Sequence, residues 1–203
     1  MRPVLFARFV WWSVLLVVVA GCSKGPDGGS APKRPPAVNT QKLPPLGDYL
    51  PPLDNARLEL APPEGWHIPS ASSKYVVRVQ KSDGDPYPSV IVTAEDDDGK
   101  GIQNVSQKNV KEFAVQVADA VNKDKSAVQP RTIGDFVGVA YAKRAKVRRP
   151  VTRILEVLYL ETVVAGRKYR FELRSEEGSL DKDRPYLHAV VNGTRFLEAA
   201  SEP

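Results

Sequence analysis

The sequence predicts an α+β domain in which an antiparallel β-sheet is flanked by helices. Three observations carry that expectation. Six stretches rich in β-branched and aromatic residues are separated by Gly, Pro, Asn and Asp, the punctuation of strands and turns. Between the third and the fourth, the apolar spacing becomes helical, with Val110, Phe113, Ala114, Val117, Ala118 and Val121 on one stripe. Strands and helices come in separate runs and do not alternate one for one, which is the α+β pattern.

Ahead of the domain comes a leader. Residues 1–21 have the anatomy of a secretory signal peptide. Arg2 and Arg8 form a positive start with no acidic residue, Phe9 to Val19 is apolar apart from Ser13, and Ala20-Gly21 supplies the small residues a peptidase needs. A membrane-spanning helix is the competing reading. Phe9 to Gly21 as a helix covers about 20 Å, against a hydrocarbon core about 30 Å thick. The run is too short, and Arg8 and Lys24 bracket it.

Cys22, the one cysteine of the chain, follows the small residues directly. Val19-Ala20-Gly21-Cys22 resembles the Leu/Val-Ala-Gly-Cys lipobox of bacterial lipoproteins, with valine in place of the commoner leucine. The bland alternative is a stray or buried cysteine near the N-terminus. The resemblance implies removal of residues 1–21 and a diacylglyceryl thioether on Cys22, usually with a third, N-linked chain. It also implies a place in the bacterial cell envelope, anchored to a membrane through that lipid, with the domain outside the cytoplasm. Two or more acyl chains hold stably where one binds marginally. A lipidated Cys22 leaves no thiol for a disulfide, a nucleophile or a metal.

Residues 22–53 are expected to be a Pro/Gly-rich flexible linker behind the lipidated cysteine. They show no hydrophobic period, and too little apolar surface to offset the entropy of ordering. Pro32 and Pro35 fit P-x-x-P, but in so proline-rich a stretch a plain tether is the preferred reading. Leu43 to Leu53, where leucines and Tyr49 mix with prolines, is a candidate to lie on the domain surface where the chain joins it. Residues 54–203 remain as one domain, about 150 residues, enough to bury a core without staples. The chain has 29 Lys or Arg against 24 Asp or Glu. Without Arg2 and Arg8, 27 face 24, an excess too mild and scattered for a nucleic-acid footprint.

Within the domain, Arg57 to Leu60 alternates as a first strand and is stopped by Pro62, Pro63 and Gly65. Lys74 to Gln80 and Ser89 to Ala94 read as a hairpin around Asp83-Gly84-Asp85-Pro86. After an acidic loop from Asp96 to Gly101 the helical stripe begins, with Ser106 as N-cap and Asn122 to Lys125 as its end. Phe136 to Val147, Thr152 to Val164 and Lys168 to Ser175 are three long strands, turned at Arg148-Arg149-Pro150 and at Ala165-Gly166. The middle one is apolar on both parities, which predicts a central place with cover on both faces. A second helix is expected from Asp183 to Asn192, with Pro185 in its first turn and Gly193 as its C′ stop. Phe196 and Leu197 close the domain.

This layout resembles the PsbP-like superfamily over about Asn55 to Leu197. Pro63-Glu64-Gly65-Trp66, the helix Ser106 to Asn122, the strand–turn–strand around Gly166 and the last helix leading into Thr194-Arg195-Phe196 carry the resemblance. It implies a PsbP-like fold and scarcely a function, because one fold hosts many activities. This chain has Thr-Arg-Phe where many members have Ser-Phe, and no functional residues of the family carry over.

Concentrated chemistry is lacking. His67 and His188 lie in different segments without metal spacing, and no H-E-x-x-H, G-x-S-x-G or Walker motif occurs. Asp96-Asp97-Asp98-Gly99 invites a calcium reading, but aligned on Gly99 the positions of the first and last ligands hold Ala94 and Val105. A solvated turn is the preferred account. Trp66 is a core plug or an exposed anchor.

Lys143, Arg144, Lys146, Arg148 and Arg149 form the one real charge cluster, with Arg144, Lys146 and Arg148 on one strand face. They are a solvated hairpin end that discourages edge pairing, or a contact for acidic headgroups or an acidic partner. The expectation is therefore a membrane-anchored envelope lipoprotein with a non-catalytic domain for protein binding or assembly, without cofactor or metal and without nucleic acid. The alternative is a carrier or sensor that binds a small apolar or anionic ligand between sheet and helix.

Overall fold

The alternating segments pair as their patterns require. The computed structural model describes residues 38–96, 101–148 and 152–197. The expected leader, Cys22 and the first part of the linker lie outside the described residues, as do Asp97, Asp98, Gly99 and Arg149. The elements are β1 (Leu58–Glu59), β2 (Val77–Gln80), β3 (Ser89–Asp96), α1 (Val110–Ala120), β4 (Gln129–Ile133), β5 (Phe136–Val147), β6 (Arg153–Val164), β7 (Arg167–Glu176), α2 (Leu180–Gly193) and β8 (Arg195–Phe196). Strands β2 to β7 form one sheet in the order β2-β3-β7-β6-β5-β4, antiparallel at every step. The short β1 and β8 pair separately, so the two ends of the domain meet. The fold is the expected α+β one, an antiparallel sheet with a helix on each face.

The double apolar parity of β6 explains that arrangement. Leu158 and Leu160 point into a core closed by Leu187, Val190 and Val191 of α2 and by Phe171 and Leu173 of β7. Leu155, Val157, Tyr159 and Val163 point the other way, into a core closed by Val110, Phe113, Ala114 and Val117 of α1. Both cores need the helices, and the helices bury their stripes there.

The turns follow local chemistry. Ala165 (φ 49°) and Gly166 (φ 70°) are both left-handed between paired Val164 and Arg167, the two-residue hairpin turn that suits strand twist. Asn122 (φ 52°) ends α1 in a Schellman motif, where the Lys123 and Asn122 amides donate to the Ala118 and Asp119 carbonyls.

Four expectations need correction. Helix α1 starts at Val110, not behind Ser106, because Ser106 and Asn109 close a turn of their own: the Ser106 amide and hydroxyl both donate to Asn109 Oδ1. Strand β4 was not anticipated; it carries Pro130 and pairs only with β5, the edge position that tolerates proline. Helix α2 starts at Leu180, so Pro185 lies inside it at a cost of one hydrogen bond, and Asp181 and Asp183 occupy the favourable first turn. Gly193 is the last residue of α2 and not a left-handed stop. A side chain there would strike Leu46, which packs where a Cβ would be.

Leu46 belongs to a strap. Residues 38–53, expected as the end of the linker, are hydrogen-bonded along the domain. Val38 donates to the Thr132 carbonyl at 3.1 Å, Gly47 to Pro62 at 2.8 Å and Leu50 to Leu60 at 2.9 Å, and Tyr49 Oη donates to the Gly193 carbonyl at 2.9 Å. Leucines among the prolines hold this stretch down, since Leu50 and Leu53 pack on the core. The described residues belong to one compact unit.

Trp66 is the core plug of the two alternatives. It is buried, with its ring 5.1 Å from that of Tyr186 in α2. It is the one tryptophan beyond the leader, so the leaderless chain is expected to emit at blue-shifted wavelength and to resist quenching by iodide. Emission at the wavelength of free tryptophan would contradict this packing.

Candidate functional site

A cleft opens where β5 runs out of large side chains. On the α2 side, β5 presents Ala140 and Ala142, and these small residues leave space between helix and sheet. The cleft encloses about 370 Å³, with Ala140, Ala142, Leu158 and Leu160 as an apolar floor. Its walls are polar. Arg184 and His188 stand one turn apart on α2, Arg131 rises from β4, and Val38 also lines it. Among the described residues, no carboxylate lines it.

The electrostatics are one-sided. Burial, then Arg184, then Arg131, push the His188 imidazole down to about 4. At neutral pH it is an uncharged group with one donor and one acceptor, between two guanidinium groups. Arg131 Nη2 donates to Gln129 Oε1 at 3.1 Å, a neutral partner. Arg184 Nη2 meets Asp181 Oδ1 at 2.6 Å, but both are solvent-exposed, and such a pair holds its members weakly.

The opposite face of the sheet carries a closed polar network. Glu161 is fully buried in β6. Its Oε1 accepts from Tyr141 Oη at 2.6 Å and from Arg170 Nε at 2.6 Å. Lys168 Nζ lies 3.0 Å from Oε2, an ion-pair contact without hydrogen-bond alignment. Burial favours the protonated Glu161, but Lys168, the Tyr141 hydroxyl and Arg170 together outweigh it and hold the carboxyl below its usual range. Burial and then the bond to Glu161 push the Tyr141 hydroxyl far up. Tyr141 stacks on Tyr159 at 4.8 Å. Every member is committed to another, which makes this network structural.

The residues singled out in the sequence are scattered. The basic cluster divides between the two faces of β5. Lys143 lies on one, with its ammonium 4.8 Å from the centre of the Tyr159 ring. Arg144 and Lys146 lie on the other, where Arg144 is paired with Glu156 at 4.0 Å and Glu177 at 3.6 Å. Lys146 and Arg148 are exposed. His67 is at the surface, 3.7 Å from Asp83. Asp96 is held by Arg167 at 2.5 Å and so is spent on an ion pair. Among the described residues no group of three or more His, Cys, Asp or Glu is placed to hold a metal. No helix of the described residues is long and apolar enough to cross a membrane.

Arg131 and Arg184 escaped the sequence reading. Arg131 was hidden with its strand. Arg184 and His188 are four apart, one helical turn, and that spacing was the available signal.

No family model matches the chain, and no curated protein matches it. Solved structures do resemble it. A structure from Bacteroides thetaiotaomicron VPI-5482 has a TM-score of 0.50 at 10% identity, covering 71% of this chain and 46% of that one. The chain thus spans under half the length of the Bacteroides protein. The cyanobacterial PsbP, CyanoP, of Synechocystis sp. PCC 6803 has a TM-score of 0.33 at 15% identity, covering 70% and 87%. LpqN, involved in cell envelope biogenesis of Mycobacterium tuberculosis, has 0.41 at 11% identity, covering 70% and 83%. At these identities the likeness bears on fold alone, and the two below 0.5 carry no argument about this chain.

Proposed function

We propose that the chain is an envelope lipoprotein, held to a membrane by lipid on Cys22, whose domain binds and does not catalyse. The observation that carries this reading is the leader: a positive start, an apolar run too short to span, and Val-Ala-Gly-Cys. The non-catalytic part is supported by how two carboxylates with buried side chains are used. Glu161 is spent on Tyr141, Arg170 and Lys168, and Asp54 on Arg167 and Tyr169.

Of the two binding readings, a protein partner and a small ligand, the cleft beneath α2 favours the ligand. Its volume lies at the lower end of the range of about 300–1,000 Å³ for ligand sites, and it joins an apolar floor to a few convergent polar groups. The exposed large apolar side chains, Tyr49, Ile68, Val115 and Ile154, come from four separate segments, and single ones are ordinary surface. The tether supports binding near a membrane because it keeps the domain at high effective concentration there.

The test is the processing itself. Mass spectrometry of the chain from a lipidating bacterial host is expected to show residues 1–21 gone and acyl mass on Cys22. Cys22→Ser is expected to take up no labelled fatty acid. A wild-type chain that keeps its first 21 residues and takes up no label would sink the proposal.

A further inference from the structure

We propose that the cleft between α2 and the β4–β6 part of the sheet is a binding site for an anionic amphiphile, an alkyl chain ending in a carboxylate or phosphate. The inference deepens the ligand-binding reading and rests on it in one respect, that the leaderless chain is the working form. The floor and the walls of the cleft ask for two kinds of chemistry. Ala140, Ala142, Leu158 and Leu160 form a floor with no polar side chain. Arg131 and Arg184 come from opposite walls, strand and helix, and among the described residues no acidic side chain of the lining answers them. A planar guanidinium fits a carboxylate or phosphate with two parallel hydrogen bonds. His188 stands beside Arg184 as a neutral imidazole and adds a donor without a charge to be desolvated. A neutral apolar ligand would leave Arg131 with only the neutral Gln129 and Arg184 with only the solvent-exposed Asp181. A bare inorganic anion would leave the floor wet.

The place of the cleft in the chain points the same way. Val38, which lines the cleft, is the first described residue of the domain, and Cys22 lies 16 residues earlier in the sequence. A chain of 16 residues reaches at most about 55 Å. Once Cys22 is lipidated, the cleft works within that distance of a membrane, where amphiphiles are concentrated.

The experiment uses residues 22–203 with Cys22→Ser, which keeps the whole compact unit. Titration calorimetry with octyl phosphate and with octanoate, below their micelle concentrations, is expected to show one site. Octyl glucoside and inorganic phosphate are expected to bind at least tenfold more weakly. Arg131→Ala and Arg184→Ala are each expected to weaken octyl phosphate binding about tenfold. Ala142→Phe, at an exposed position on the floor, is expected to block the cleft while circular dichroism stays that of the wild type.

Co-sedimentation with phosphatidylglycerol vesicles separates the sources. Capture of soluble octyl phosphate without vesicle binding identifies a free amphiphile. Vesicle binding that Arg131→Ala and Arg184→Ala abolish identifies a lipid headgroup. Equal binding of octyl glucoside, binding that survives Ala142→Phe, or no binding of either anionic probe or vesicle would overturn the proposal. If the chain still carries acyl label on Cys22, that failure belongs to the cleft and not to the lipoprotein reading.

Discussion

Glu161→Gln is expected to lower the stability of the domain by about 3 kcal/mol at neutral pH, because it leaves two cations without their anion. The substitution keeps the volume of the side chain, removes its charge and turns one acceptor oxygen into a donor, so packing does not confound the result. Glu161 is 0% exposed, while Lys168 is 25% and Arg170 30% exposed at their side chains. Both cations retain some water when the carboxylate is lost, which places the cost at the lower edge of the range for breaking a buried pair. For a domain of this size the change corresponds to a melting temperature lower by about 6–12 °C.

The pH dependence has a definite sign. The folded-state value of Glu161 lies below that of the unfolded chain, so folding is favoured by ionisation. The contribution is full above the unfolded value, about 4.3, and is lost as pH falls through the lower folded value. The difference between wild type and Glu161→Gln should therefore be constant above about pH 5 and shrink below about pH 4. Denaturant melts of both chains across that range measure it. A Glu161→Gln chain as stable as wild type at pH 7 would show that a neutral hydrogen-bonded group serves equally, and the ion-pair account would fail.

That network also marks how far the sequence could be read. The alternation of Tyr169, Phe171 and Leu173 against Lys168, Arg170 and Glu172 was visible, and so were the faces of β7. The partners were not. Glu161 interrupts an apolar strand, and only the register β5-β6-β7 brings Tyr141, Glu161 and Arg170 together from positions 20 and 9 apart. The central place of β6 was legible for the opposite reason: a strand apolar on both parities admits no other position. Strand β4 was missed because Gln129 to Ile133 offers only one strong apolar residue, although Gly134-Asp135 ahead of Phe136 is a usable hairpin signal. Missing it removed Arg131, and with it one wall of the cleft. The two faces of the basic cluster were legible from its alternation. Charges adjacent in sequence along a strand belong to opposite faces, so Lys143 and Arg144 never form one surface.

The strap offers the second large effect. Asp54→Asn is expected to cost about 2–3 kcal/mol and to expose residues 38–56 to protease before the rest of the domain unfolds. Asp54, Asn55 and Ala56 are successive left-handed residues, with φ of 52°, 55° and 61°. Such a turn costs of order 1 kcal/mol at a residue like Ala56, whose side chain cannot bond locally. Something must hold it. Asp54 is 5% exposed at its side chain and takes a two-pronged contact from Arg167, itself 15% exposed, with Nε 2.5 Å from Oδ2 and Nη2 bonded to Oδ1. The Tyr169 hydroxyl donates to the same carboxylate at 3.0 Å.

Asparagine tolerates the left-handed region as well as aspartate does, so the substitution tests the charge and not the backbone. It replaces one acceptor oxygen by a donor facing a guanidinium. Arg167 keeps Asp96, which prevents a larger loss. Limited proteolysis followed by mass spectrometry locates the first cuts. Cuts in the strap at unchanged β-sheet signal are the expected result, and a first cut elsewhere would mean that the leucines alone hold the strap down. The outcome matters for the tether as well as for the fold. A closed strap delivers Val38 to the rim of the cleft at a fixed point. An open one adds residues 38–53 to the stretch between Cys22 and the domain and doubles the 16 residues that separate Cys22 from Val38.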